Sequence, residues 1–337
     1  MTPTRHGNLI EECRGTVSGV VAAVPKNRVT NRDWPAAHDA ARMTGVLERR
    51  HVSGTESADT LCAAAARTLM DRLHWEPESI DALVYVTQTP ATAVPASAYA
   101  LHAELGLPAH CPAVEVNWSC AGYVYGLWLA MKLGQRGDGM GCRVLLLVGD
   151  TTSRIVDPAD RATAPLFGDA GSATGIITGS QAGATRFVLG TDGAGAGKLS
   201  KQLSEGAYLR MDGAAVFSFT LSVVPGLVAD VIEAPRAAGT EDAPEFLLFH
   251  QANRFMLEHL VKKTGLLQRF KPAQIPMNIE QFGNCSCASI PLLLCTELGG
   301  ESTRGALLHL LGYGAGWSWA GATVNASDLR VAEMIEV

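Results

Sequence analysis

The chain has no excess of positive charge. Lys and Arg number 27 against 33 Asp and Glu, a net charge of −6 over 337 residues. A globally basic, nucleic-acid-binding surface is therefore excluded, and an acidic partner would need a local cationic patch. Charge is sparse overall, at 18%, while 47% of residues are hydrophobic. That balance excludes disorder and leaves an ordinary globular protein, long enough for two packed halves. The first residues, Met1 to Asn8, hold no apolar run of a secretory leader. The longest helix-like apolar stretch, Ala121 to Leu133, is too short to span a bilayer, so no membrane partner is expected. Zinc spacing is missing too. Cys285 and Cys287 form a C-x-C pair with no second pair to complete a site. The eight cysteines, scattered through a long chain, fit a reducing cytoplasm. Thr191 to Ser200 is glycine-rich but lacks phosphate-loop spacing, and it reads as a flexible connection. Gly, Ala and Ser accumulate over 179–200, which marks the expected boundary. No tandem short repeat is evident.

What is present alternates. Strand-like runs are expected at Ala82–Thr87, Ala113–Asn117, Val144–Gly149, Ala173–Thr178, Phe246–His250, Gln274–Asn278, Ala306–Gly312 and Ser318–Asn325. Several are continuously apolar, as in strands covered on both faces. Helices are expected over Asp59–Leu73, which is Ala-rich, and Asn253–Thr264, which puts Met256, Leu260 and Val261 on one side. This alternation predicts an α/β protein with layered sheets.

Cys120 ends the extended run Val114 to Asn117 and opens a helix apolar all round, from Ala121 to Leu133. Such a helix is a buried one, and Gly122 and Gly126 would let another backbone approach it. A thiol at the first turn of a helix meets unpaired N–H groups and the positive end of the dipole, which favour the nucleophilic thiolate. His250 ends a second strand-like run, Asn284 follows Gly283, and a glycine-rich segment runs from Gly312 to Gly316. Taken singly, each is commonplace: a core cysteine, a structural histidine, two turns.

In this order they resemble the β-ketoacyl-acyl-carrier-protein synthase III family of the thiolase superfamily. The resemblance covers nearly the whole chain. It runs through Cys120-Ala-Gly, Ser153 to Arg161, Phe167 to Gly171, Met211 to Phe217, His250 to Asn253, Gly283-Asn284 and Gly312 to Gly316. It implies a thiolase-like fold of two similar α/β halves in a layered αβαβα core, in a homodimer. Residues 1–180 would carry the cysteine, and 181–337 the histidine and asparagine. The implied reaction takes an acyl group onto Cys120 from an acyl thioester, then condenses it with a malonyl thioester that loses CO₂. Backbone N–H groups of Cys120 and Ala315 match the oxyanion hole, and His250 with Asn284 matches the pair that hydrogen-bonds the enolate oxygen. No permanently bound cofactor is implied. Coenzyme A or phosphopantetheine thioesters are substrates, and acyl- and malonyl-carrier proteins are partners. A Cys-His-Asn order also occurs in papain-like hydrolases, but their C-G-[SA]-C-[WY] signature is absent.

The match frays around the substrate. Arg161 matches one side of the adenine clamp for coenzyme A, but Trp34 lies too early for the tryptophan on the other side. Trp118 stands where a small residue is usual, and Val94 where some relatives block long chains. With Tyr313, these two form the expected acyl pocket. Asn253, Arg254, Lys262 and Lys263 are the expected pantetheine or carrier-protein contacts, although Phe255 and Ser218 replace basic residues. These departures leave a second reading: an acyltransferase or condensing enzyme of a specialised, polyketide-like pathway with a non-malonyl acceptor. A third, a non-catalytic heterodimer partner, is disfavoured by the intact Cys-His-Asn set.

Overall fold

A computed structural model describes residues 2–3, 8–32, 41–42, 44–135, 139–204, 206–233, 240, 242–299, 303 and 305–337. Trp34 lies outside the described residues. The longest strand, β1 (Leu9–Val24), organises the rest. Its first part, Leu9 to Arg14, pairs antiparallel with β6 (Ala184–Thr191), and Gly15 to Ala23 pairs antiparallel with β5 (Asp169–Thr178). One strand thus belongs to two sheets. The first sheet runs β3 (Ala113–Val116), β2 (Ala82–Val86), β4 (Arg143–Thr151), β5, β1. The second runs β7 (Glu245–Phe249), β8 (Leu307–Gly314), β9 (Ser318–Asn325), β6, β1. The C-terminal β10 (Val331–Glu336) lies parallel to β1.

The two sheets repeat one pattern. In the first, β2 and β4 are parallel, while β4–β5 and β5–β1 are antiparallel. In the second, β7 and β8 are parallel, while β8–β9 and β9–β6 are antiparallel. Among the described residues the second sheet has no counterpart of β3, which would fall at the strand expected over Gln274–Asn278. That segment instead makes a 3₁₀ turn, Pro272–Gln274, and then an irregular run. Pro276 has no N–H to give a ladder, and the Asn278 N–H is taken by the Gln251 side chain at 3.2 Å.

Helices fill three layers. Between the sheets lie α3 (Gly122–Leu133) and α6 (Ser289–Glu297), in one apolar cluster with Val84, Val86, Leu146 and Val148 of the first sheet and Leu308 and Leu310 of the second. A Cβ on Gly122 or Gly126 would fall within 2.9 Å of Val86, so the space these glycines leave is taken by a side chain of β2, not by the backbone expected from the spacing. Outside the first sheet lie α1 (Ala58–Leu73) and α2 (Ser97–Glu104). The start of α1 is fixed by a capping box between Ser57 and Thr60. Outside the second sheet lie α4 (Gly213–Ile232) and α5 (Arg254–Thr264), packed over Leu311 and Tyr313. The order is therefore αβαβα.

Two expectations need correction. Thr191 to Ser200 is not simply a flexible connection, since Leu199 and Ser200 pair with Met211 and Arg210, and the wider stretch 179–200 holds a strand. Ala184–Thr191 is β6, and Asp192 exchanges backbone hydrogen bonds with Trp317 at 2.9 and 2.6 Å. The longest apolar helix is α4, not Ala121 to Leu133; it has 20 residues, a mean hydropathy of 1.9, and meets the length and composition needed to cross a membrane. Here its Val224, Leu227, Val228 and Val231 are buried against the second sheet.

Candidate active site

Cys120 sits in a 3₁₀ turn, Ser119–Ala121, that leads from β3 into α3. His250 follows the last residue of β7, and its N–H donates to the Leu311 carbonyl at 2.8 Å. Its ring meets Tyr313 edge-on, centroids 5.7 Å apart, and the Tyr313 hydroxyl donates to the His250 carbonyl at 3.3 Å. Asn284 is held by its backbone to the segment Leu166–Gly168: its N–H donates to Leu166 O at 2.9 Å, and its carbonyl accepts from Gly168 N at 3.1 Å. The Ser286 N–H donates to Asn284 Oδ1 at 2.9 Å, which leaves the amide nitrogen as the donor end.

These three side chains converge. A cavity of about 70 Å³ is lined by Cys120, His250 and Asn284 together with Tyr313, Gly314 and Asn253. Leu166, Phe167, Met211, Val216 and Met256 supply its apolar wall. Residues 120, 250 and 284, remote in sequence, thus share one buried site.

The electrostatics differ from the expectation at one point. Burial raises the Cys120 thiol to about 11, and the buried Asp150 carboxyl adds to the rise. The Ser286 hydroxyl and the backbone N–H groups of Ala315 and Cys120 pull the other way, yet desolvation exceeds them. The resting enzyme therefore holds a thiol, not the thiolate that the helix N-terminus alone would favour. The sign is testable. Thiolate forms as pH rises, so alkylation of Cys120 by iodoacetamide should quicken about tenfold per pH unit from neutrality and level off only near 11. A plateau near pH 7 would overturn this order of effects. His250 is shifted in the opposite sense for the same reason: burial pulls it down to about 4, so it is a neutral donor at any physiological pH.

Gly314 has a steric role. A Cβ there would fall 2.6 Å from Cys120 Cβ and 3.0 Å from its sulfur. The glycine-rich run is thus, at this position, room for the nucleophile on β8, not only a turn. Gly314→Ala should lower the rate of Cys120 acylation by about a hundredfold, read by intact mass, because it displaces the sulfur directly.

The remaining expected residues are dispersed. Tyr313 lines the cavity, but Trp118 does not: it stacks on Tyr125, centroids 5.2 Å apart, against the central cluster. Val94 does not line this cavity either. It is 90% exposed, on a loop that turns into solvent before α2. Asn253 lines the cavity and also caps α5, its Oδ1 accepting from Met256 N at 2.8 Å. Arg254 pairs with Glu280 at 2.5 Å, and Lys263 donates to the Leu221 carbonyl at 2.8 Å. Lys262 and Arg161 are exposed and away from the cavity. Phe255, half exposed, lies between Phe217 and His259, which makes an aromatic surface beside Arg254. Sequence reasoning did not assign the apolar wall at Leu166, Met211 and Val216 to the site, although Met211 and Val216 lie in the matching segment Met211 to Phe217. It also missed Asp150, a buried carboxylate that accepts the Cys287 thiol at 3.0 Å.

Comparison with known proteins agrees with this geometry. Residues 114–193 match the family model described as 3-oxoacyl-[acyl-carrier-protein] synthase III, and residues 236–326 match that of its C-terminal part. The chain is 32% identical over 316 residues to β-ketoacyl-[acyl-carrier-protein] synthase III of Neisseria meningitidis, covering 90% of this chain and 96% of that one. It superposes on the crystal structure of a 3-oxoacyl-(acyl-carrier protein) synthase from Burkholderia xenovorans with a TM-score of 0.89 and 40% identity, over 98% of this chain and 99% of that one. A priming β-ketosynthase of a polyketide biosynthetic pathway is also similar, with a TM-score of 0.82 and 26% identity over 96% and 98%. With a cysteine, a neutral histidine and an asparagine amide around one buried cavity, the chain belongs to the β-ketoacyl-[acyl-carrier-protein] synthase III family, acyl-transferring condensing enzymes of the thiolase superfamily.

Proposed function

We propose that Cys120, His250 and Asn284 carry out a two-step condensation. In the first step the Cys120 sulfur attacks the carbonyl carbon of an acyl thioester. The acyl–sulfur bond of the donor breaks, the thiol leaves, and the proton lost by Cys120 goes to the departing sulfur. The N–H groups of Cys120 and Ala315 hold the oxyanion. In the second step a malonyl thioester enters, its carboxyl leaves as CO₂, and negative charge gathers on its thioester oxygen. His250, being neutral, and Asn284 donate to that oxygen. The enolate carbon attacks the acyl carbon, and Cys120 leaves with the electron pair and takes up a proton from solvent to restore the thiol. The convergence of the three side chains on one cavity carries this reading.

The narrow, largely apolar cavity suits the thin arm of a pantetheine thioester, whether on coenzyme A or on a carrier protein, with no cofactor bound permanently. Arg161, Arg254, Lys262 and Lys263 are the cationic groups an acidic acyl- or malonyl-carrier protein would meet, with Asn253 at the mouth and Trp118 flanking the nucleophile's turn. We assign the enzyme to the cytoplasm as a homodimer, with functional halves at 1–180 and 181–337. Eight buried cysteines, none in a disulfide, support the compartment. The test is release of CO₂ from a malonyl thioester coupled to loss of the acyl group from Cys120. A protein that takes the acyl group but releases no CO₂ overturns the second step.

A specialised, polyketide-like role is the second reading. Phe255 on α5 and the pairing of Arg254 with Glu280 leave less free positive charge at the expected docking helix. Turnover on a non-malonyl acceptor would favour it.

A further inference from the structure

Two stretches of the chain share the pattern Asn-x-Ser-Cys-Ala: residues 117–121 and 284–288. Each contains a 3₁₀ turn that leads into a central helix, α3 or α6. In each the serine adopts a left-handed backbone, φ 45° at Ser119 and 50° at Ser286. Residues with a Cβ avoid that region unless their surroundings hold them there. Here one side chain holds both. Gln88, two residues beyond the end of β2, accepts from the Ser119 hydroxyl at 3.1 Å through Oε1 and donates to the Ser286 hydroxyl at 2.9 Å through Nε2. Gln88 is in turn anchored on Asp150, whose Oδ1 accepts the Gln88 N–H at 2.8 Å and the Thr87 hydroxyl at 3.2 Å.

We propose that Gln88 is a positioning residue that sets the distance and orientation between the nucleophile Cys120 and the enolate donor Asn284. The inference rests on the roles assigned to those two residues above. Ser119 immediately precedes Cys120, so its hydroxyl fixes the turn that aims the sulfur. Ser286 gives its N–H to Asn284 Oδ1 at 2.9 Å, so its position decides which end of the amide faces the cavity. Gln88 lies outside the cavity lining and touches neither reacting group. The amide serves both ends in this sense, because it accepts at one and donates at the other. Accepting from Gln88 also leaves the Ser286 hydroxyl proton free to face the Cys120 sulfur, where it favours the thiolate.

Two variants separate positioning from folding. Gln88→Met keeps the length and removes both hydrogen bonds. It should slow acylation of Cys120 and malonyl decarboxylation about ten- to a hundredfold, with KM for either thioester changed less than about threefold, because no substrate contact is lost. Gln88→Glu keeps the length but offers acceptors only. It should draw the Ser286 proton away from Cys120, place a negative charge beside it and move the pH profile of Cys120 alkylation upward. Acylation and decarboxylation rates, thermal midpoint and the iodoacetamide pH profile are measured on each full-length variant. Wild-type rates in Gln88→Met, or an unmoved profile in Gln88→Glu, overturn the proposal; so does a rate loss matched by the unfolded fraction. A wild-type enzyme that takes no acyl group on Cys120 sinks the site assignment instead. The alkylation profile still tests the link from Gln88 to the sulfur in that case.

Discussion

Cys120→Ala is expected to abolish the acyl-enzyme. Incubated with an acyl-coenzyme A or acyl-carrier protein, the wild type should gain one acyl mass, and the variant none. The reason is access, not acidity. Burial raises Cys13 and Cys111 to about 11, the same value as Cys120, so an ordinary thiol-activation argument does not single out any of the three. Cys287 and Cys285 are deeper still, and their thiols are pushed well above the usual range. Only Cys120 among these lines the cavity, and only there do the backbone N–H groups of Cys120 and Ala315 approach the sulfur. A substrate thioester brings its own electrophilic carbon to a sulfur whose thiolate is scarce at rest, and the N–H groups act on the oxyanion as it forms. Acyl mass persisting in Cys120→Ala would move the nucleophile to another thiol and sink the assignment. Both proteins should show the same thermal midpoint within a few degrees, since the change removes one sulfur atom.

Much of this was legible before any coordinates. Cys120 stood out because a β-branched run stops at it and an apolar helix begins, and β3, its turn and α3 follow that outline. His250 at the end of an apolar strand and Asn284 after its glycine were commonplace singly, and only their order, through the resemblance to the family, gave them roles. Other parts were not legible, for physical reasons. β1 has mixed polar and apolar residues because it passes from one sheet into the other, so neither strict alternation nor a continuous apolar run describes it. β6 lies inside a Gly-, Ala- and Ser-rich stretch, and composition masked an eight-residue strand that pairs with β1 on one side and β9 on the other. Gln88 carries no local signal. Its meaning lies in two serines 31 and 198 positions away, and only the folded chain brings them to opposite ends of one amide. The Asn-x-Ser-Cys-Ala repeat was readable in principle, but its two copies are too far apart for a tandem search to join.

Removal of the enolate donors should separate the two halves of the reaction. His250→Ala and Asn284→Ala are each expected to slow malonyl decarboxylation by about a hundred- to a thousandfold, roughly 3 kcal/mol, the scale of losing one preorganised oxyanion donor. Acylation of Cys120 should fall far less in both, because its oxyanion is held by backbone groups that neither change removes. The two variants should differ in stability. Asn284 accepts the Ser286 N–H with its side chain, so its removal leaves a buried backbone donor unpaired and should lower the thermal midpoint. The His250 ring's own hydrogen bond is to the Ser286 backbone, so its loss strands no buried N–H and leaves mainly a void beside Tyr313. Neutrality of the imidazole adds a pH signature. Because His250 titrates near 4, wild-type decarboxylation should stay level from pH 8 to about 5 and decline only as the ring takes up its proton. The measurement is CO₂ release from a malonyl thioester beside the single-turnover acylation rate, across that pH range. A decline centred near pH 6.5 would mean a solvated histidine, and with it a cavity more open than the burial of residue 250 allows. Equal losses in both half-reactions would mean that His250 and Asn284 hold the site together without donating to the enolate.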